Sequence, residues 1–164
     1  MDGDSIEIRD SKFGKGLFAI KDIKSGEVLC KVSGNEKEIN FYETTLLGEK
    51  ESHAIQIDFD KYLLCEPPFL YSNHSCNPNC AVNDKLEMFA LKKIKAGEEL
   101  LWDYSTSMLE RHWTMECACG ENTCRKIITD FDLLPTELQL KYLQVNIVLP
   151  FIADFIKYQR AKTA

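Results

Sequence analysis

No apolar run in this 164-residue chain reaches the ~20 residues that a membrane-spanning helix needs. Its first residues, Met1-Asp2-Gly3-Asp4, are acidic and lack the basic-then-apolar order of a secretion signal. A positive charge balance is missing too. The net charge is −6, and residues 1–130 hold 23 acidic against 16 basic groups, a balance of −7. That sign disfavours direct contact with a nucleic-acid backbone, which wants clustered positive charge. It suits a basic peptide or protein partner. Gly14-Lys15-Gly16 has neither the third glycine nor the long following helix of a dinucleotide fingerprint. There is no internal repeat and no low-complexity linker. The cysteine count, seven, is odd, which argues against a disulfide framework. Together these absences predict an intracellular, reducing setting. A hydrophobic content of 45% and a charged content of 28% are ordinary for one folded domain with a proper core.

What is present reads as short strands with turn signals every 8–12 residues, hence a mainly β domain. Ile6 and Ile8 alternate with charged neighbours over 5–10. The glycines at 14 and 16 permit a tight turn or close backbone approach. Residues 27–32 read as a strand. Residues 34–51 are polar, with weak helical character over 41–47. Residues 53–58 and 62–65 form a hairpin about a turn at 59–61. Further short strands are expected at 81–82, 86–91 and 99–102. Residues 105–116 read as a helical or irregular connector. The tail changes character: Pro135 opens a helix in which Leu138, Tyr142 and Val145 recur near the helical period. Pro150 interrupts, Phe151, Ile152, Phe155 and Ile156 mark a second amphipathic stretch, and residues 160–164 are expected to fray.

Cys30 and Cys65 sit in apolar strand-like runs and read as small buried hydrophobes. The other five cysteines fall in two polar segments. Cys117-x-Cys119-x4-Cys124 supplies three thiolates close enough for one zinc ion, which wants four tetrahedral ligands. From the residues alone the fourth could be Cys76, Cys80, His74 or His112. Such a site would pin the loop against the middle of the chain, because metal binding is coupled to folding. That middle, Asn73-His74-Ser75-Cys76-Asn77-Pro78-Asn79-Cys80, has neither a helical nor a strand period and is rich in turn formers.

Four segments in order now carry a resemblance. They are Gly14-Lys15-Gly16-Leu17-Phe18-Ala19, Asn73-His74-Ser75-Cys76-Asn77-Pro78-Asn79, Gly97-Glu98-Glu99-Leu100-Leu101-Trp102-Asp103-Tyr104, and the cysteine loop at 117–125. Over residues 6–128 the chain resembles the SET-domain protein lysine methyltransferases. The resemblance implies a mainly β, β-clip fold of small curved sheets with a knot-like crossing that sets the second segment beside the third. It implies a SET domain over 1–116, a post-SET zinc-binding loop over 117–130 and a C-terminal helical extension over 131–164. The implied activity is transfer of methyl from S-adenosyl-L-methionine to a lysine amine in a basic protein, histone tails being the family's commonest targets.

Carried over residue by residue, Lys15, Gly16 and Leu17 line the cofactor cleft, with Asn73 and His74 holding the cofactor. Ile127 or Ile128 covers its adenine. Tyr104 is the active-site tyrosine and also borders the cofactor. Tyr71, Trp102 and Val32 border the substrate lysine. Cys76, Cys117, Cys119 and Cys124 hold structural zinc, while Cys80 matches no family ligand.

Three departures stand out. Val32-Ser33-Gly34 occupies the place of a Tyr-x-Gly segment. Trp102 replaces the usual Phe or Tyr two before the catalytic tyrosine, which suggests a crowded pocket and monomethylation. The usual Cys-Arg-Gly reads Cys124-Arg125-Lys126. The first two departures support an alternative, a weak or inactive SET-fold module that binds a basic peptide. A zinc-stapled interaction domain with no cofactor is a third reading. Oligomeric state stays open.

Overall fold

The structure is a computed structural model that describes residues 5–38, 53–111 and 113–163. The helical character expected over 41–47 and the candidate ligand His112 lie outside the described residues. Strands β1 (Ile6–Ser11) and β2 (Gly14–Ala19) form an antiparallel ribbon about the Lys12-Phe13 turn. The second glycine of the Gly-x-Gly segment is therefore inside a strand and not at the turn. β2 is the buried member of the pair. Its Ala19 N–H donates to the Glu98 carbonyl, and its Leu17 carbonyl accepts from Leu100 N–H. The first and third motifs are thus hydrogen-bonded along their backbones.

β3 (Val28–Lys31), β8 (Cys80–Val82) and β9 (Glu87–Ala90) form one three-stranded sheet in the order β3-β9-β8. A second is built from β4 (Gly34–Glu38), β5 (Ala54–Asp58) and β6 (Lys61–Cys65), with β6 central. β4 had no clear strand period, because its face is polar and exposed. What fixes it is backbone contact: a Cβ at Gly34 would lie 2.0 Å from the Leu64 carbonyl oxygen, so only glycine lets β4 approach β6 there. β7 (Asn73–His74) pairs in parallel with β10 (Leu101–Trp102), which brings together the two segments that the resemblance sets side by side. Asn79 holds this meeting. Its side-chain amide donates to the Glu99 carbonyl, and its Oδ1 accepts from Leu101 N–H, both at 2.8 Å.

After a 3-10 turn at Tyr104–Ser107, β11 (Met115–Glu116) and β12 (Ile127–Ile128) zip the base of the cysteine loop. The tail forms α1 (Thr136–Gln144) and α2 (Pro150–Thr163). Pro150 starts α2, where its missing N–H costs nothing. α2 continues through Thr163, so the expected fraying at 160–163 is not observed. Val145 is the exposed cap of α1, not part of its inner stripe. The tail's apolar core includes Ala81 and Leu109 from the β part, so packing runs unbroken across residue 131. No helix among the described residues is long and apolar enough to cross a membrane.

Candidate active site

Tyr104 sits where two cavities meet. The larger is a cleft of about 460 Å³ bordered by Phe13, Lys15, Tyr71, Asn73, His74 and Trp113, with Tyr104 and the cysteine loop closing it. The smaller is a slot of about 60 Å³ with a mixed lining, apolar from Ala54, Ile55, Phe69 and Trp102 and polar from Gln56, Ser107 and Glu110. Ser72 and Tyr104 border both. The Tyr104 hydroxyl donates to the Ser72 carbonyl at 2.8 Å. Burial raises its pKa above the usual phenol value, so the group keeps its proton at neutral pH. Its ring packs against Trp102 at 5.0 Å and His74 at 5.2 Å between centroids.

His74 is fixed from both sides. Nδ1 accepts from Tyr104 N–H at 3.2 Å, and Nε2 faces Cys76 Sγ at 3.3 Å. Burial pulls its pKa down to about 4, against the pull of Asp103. It is therefore neutral near pH 7, and its 3.6 Å approach to Asp103 is not an ion pair. Asn73 is held by its side-chain amide, which reaches the Lys15 carbonyl at 2.9 Å, Glu99 Oε1 at 2.8 Å and Ser11 Oγ at 3.1 Å. Gly16 makes room for this arrangement, because a Cβ there would lie 2.3 Å from Glu99 Oε1.

The other expected site residues divide into groups. Lys15 borders the cleft, its ammonium paired with exposed Asp10 at 2.6 Å. Leu17 borders the cleft only in sequence; its side chain is fully buried in the main core. Val32 is 2% exposed in the same core and lines neither cavity. Trp102 lines the slot, and its indole N–H has no hydrogen-bond partner among the described residues. Of the two isoleucines, Ile127 is exposed and Ile128 is buried beneath the cysteine loop.

Cys76, Cys117, Cys119 and Cys124 come together, with all four sulfurs within 4.8 Å of one another. Cys76 and Cys117 are 3.7 Å apart, close to the ~3.8 Å that tetrahedral zinc–thiolate bonds of about 2.3 Å would set. Arg125 N–H points at Cys76 Sγ, 3.4 Å away. Cys80 is wholly buried in the main core on β8, apart from this cluster.

Three residues of this centre carried no assigned role from the sequence. Glu99 holds Asn73. Asp103, 1% exposed, receives both Arg125 Nη1 and Nη2 at 2.7 Å and Ser105 N–H at 3.1 Å. Arg125 is the third: burial works against its charge, and the two Asp103 oxygens more than offset that. Asp103 directly precedes Tyr104 and Arg125 directly follows Cys124, which was the available signal, but sequence spacing could not pair them.

The family model described as SET domain matches residues 14–105. The histone-lysine N-methyltransferase trr of Drosophila melanogaster is 31% identical over 130 residues, 69% of this chain and 5% of its own length. The variant-silencing SET domain-containing protein of Plasmodium falciparum is 32% identical over 140 residues, 73% of this chain and again 5% of its own. The chain thus spans only about one-twentieth of these curated relatives. Among solved structures, the methyltransferase domain of human histone-lysine N-methyltransferase SETMAR matches 76% of this chain and 58% of that one, with a TM-score of 0.60 at 21% identity. KRYPTONITE, solved with mCHG DNA and SAH, matches 76% of this chain and 29% of that one at a TM-score of 0.59 and 23% identity. The motifs, the meeting of β7 with β10 and the family match over most of the β domain agree: this chain belongs to the SET domain family.

Proposed function

We propose that this chain is a protein-lysine N-methyltransferase that moves methyl from S-adenosyl-L-methionine to a lysine side chain, with a histone tail as the first substrate to test. The observation that carries this reading is Tyr104 at the junction of a wide cleft and a narrow slot walled in part by Phe69 and Trp102. The cleft has the size of a small-molecule site, with aromatic walls for a purine and polar groups for an amino-acid end. Bound there, the cofactor supplies an electrophilic methyl group on a sulfonium. Lys15, Asn73 and His74 border that cleft and Gly16 makes room for Asn73, with the exposed Ile127 as the candidate cover. The slot accepts the lysine's alkyl stem, with Trp102 beside it, while Tyr71 borders the cleft.

The chemistry asks for alignment and a neutral amine. A free lysine titrates near ~10.4; burial in the slot lowers that by desolvation and the cofactor's sulfonium lowers it by like charge, against the opposing pull of Glu110 in the slot wall. The protonated Tyr104 hydroxyl and the Ser72 carbonyl give the amine and the methyl fixed polar neighbours. Tyr104 is an orienting group and not a base. Cys76, Cys117, Cys119 and Cys124 would hold one zinc ion with a structural role, fixing the loop that closes the cleft. Names of the relatives support a protein substrate and an intracellular setting, and the negative charge suits a basic one.

Tyr104→Phe is expected to reduce labelled methyl transfer to histone peptides by about 100-fold, as loss of one aligned hydroxyl does at other preorganised sites. Cofactor affinity by calorimetry should stay within a few-fold. Full activity in that variant would remove Tyr104 from its role. Mass spectrometry of the wild-type product is expected to show one added methyl, because Trp102 crowds the slot. Cofactor or peptide binding without transfer to any protein of a mixed pool would favour the binding-module reading instead.

Gly16→Ala is expected to weaken cofactor binding about tenfold, or ~1.4 kcal/mol. The new Cβ displaces Glu99, and Asn73 loses the acceptor that orients it. Calorimetric titration checks this; unchanged affinity would show that Asn73 does not depend on Glu99.

A further inference from the structure

One buried carboxylate connects the tail to the residue proposed to orient transfer. Asp103 directly precedes Tyr104. Besides Arg125 and Ser105 N–H, it receives the hydroxyl of Tyr142, from α1, on Oδ2 at 3.0 Å. Tyr142 is 4% exposed, and its ring packs with Phe131 and Ile152 in the tail's core. The Asp103 carbonyl accepts from Thr106 N–H and from its hydroxyl, which sets the 3-10 turn that carries Tyr104. The backbone on either side of Tyr104 is therefore held by Asp103, and the Asp103 side chain is held in turn by Arg125 and Tyr142. Both of these partners lie beyond the residues that the family model matches.

We propose that Tyr142 is a positioning residue for methyl transfer, acting through Asp103 on the backbone from which Tyr104 projects. The tail helix is then a working part of the active centre. The proposal rests on the methyltransferase reading for its kinetic effect, but not for its structural one. Desolvation and the Asp103 charge both raise the Tyr142 pKa, so the hydroxyl keeps the proton that it donates. Phenylalanine at this position keeps the ring packing and removes only the donor.

The test compares wild type, Tyr142→Phe and a control, Tyr158→Phe, whose ring is exposed on α2. In Tyr142→Phe, kcat is expected to fall about tenfold, with peptide KM and cofactor Kd within twofold, zinc stoichiometric and the protein folded at the assay temperature. Amide hydrogen exchange over residues 104–108 should speed up about tenfold, with β5 and β6 unchanged. Tyr158→Phe should match wild type. An unchanged kcat, a fall that only tracks the folded fraction, or a variant that cannot be kept folded would each assign the hydroxyl to stability and overturn the proposal. If the wild type itself transfers no methyl, the functional reading fails while the exchange experiment still decides the link. Unchanged exchange over 104–108 would then overturn it.

Discussion

Cys76→Ser is expected to yield protein with well under one zinc per chain, whereas Cys80→Ser should keep its full complement. Both cysteines lie in the same polar segment, so the contrast is a stringent one. Cys76 Sγ lies within 4.8 Å of the three loop sulfurs, while Cys80 is buried among the apolar side chains of the main core. Changing even an outer partner of a metal ligand typically costs about 10–100-fold in affinity, and a direct ligand should cost more. The structural effect should be large as well. Apparent zinc binding energies in small zinc modules are about 10–16 kcal/mol, and that energy is coupled to folding. Here the apolar cluster under the loop holds only Cys76, Met108, Cys117 and Ile128 as buried members. It is too small to fix residues 117–128 unaided. Removal of zinc by chelator, or Cys76→Ser, should thus loosen β11 and β12 first and lower Tm. The cleft should open with them, because Cys117, Ala118 and Cys119 form part of its wall. Elemental analysis of protein purified without chelator checks the metal. Full zinc retention by Cys76→Ser would sink the assignment.

Arg125→Met should be nearly as damaging, although Arg125 touches neither cavity. Its guanidinium makes two 2.7 Å bonds to Asp103 and one of 3.2 Å to Ser105 Oγ. Removing it strands a carboxylate whose side chain has no solvent exposure, with only Tyr142 and a backbone N–H as donors. Breaking one half of a buried ion pair typically costs about 3–5 kcal/mol, chiefly because the remaining charge stays desolvated. The expected result is a fall of that size in urea unfolding. The double variant Asp103→Asn/Arg125→Met should be more stable than Arg125→Met alone, since the stranded charge is gone. Simple additivity of the two single changes would show that the pair is not coupled. Arg125 follows the proposed zinc ligand Cys124, so the same substitution is expected to raise the rate of zinc loss to a chelator.

Local features were the legible ones. The β5–β6 hairpin, the strand at 28–31 and the two tail helices follow from alternation, turn residues and proline placement over a few residues each. The cysteine loop was legible for the same reason, since a metal site built within eight residues leaves its spacing in the chain. β4 escaped because a polar exposed strand has no hydrophobic period. Its evidence is the missing Cβ of Gly34 against β6. Val32 was placed beside the substrate by resemblance alone, yet it packs in the core, where an apolar β-branched side chain is well suited.

The sequence by itself determined the mainly β class, the cysteine-rich loop and the SET resemblance, and it singled out Asn73, His74 and Tyr104, which border one cleft. Tertiary structure alone decided which buried groups answer one another: Glu99 with Asn73, Asp103 with Arg125 and Tyr142, and Cys80 with the core instead of the four-cysteine cluster. The reason is physical. Turns, periods and ligand spacings are satisfied between near neighbours in the chain and so are written locally. A buried charge is satisfied by whichever donors the fold brings to it, and β7 against β10, the cysteine loop and α1 meet at Asp103 only after the chain has closed on itself.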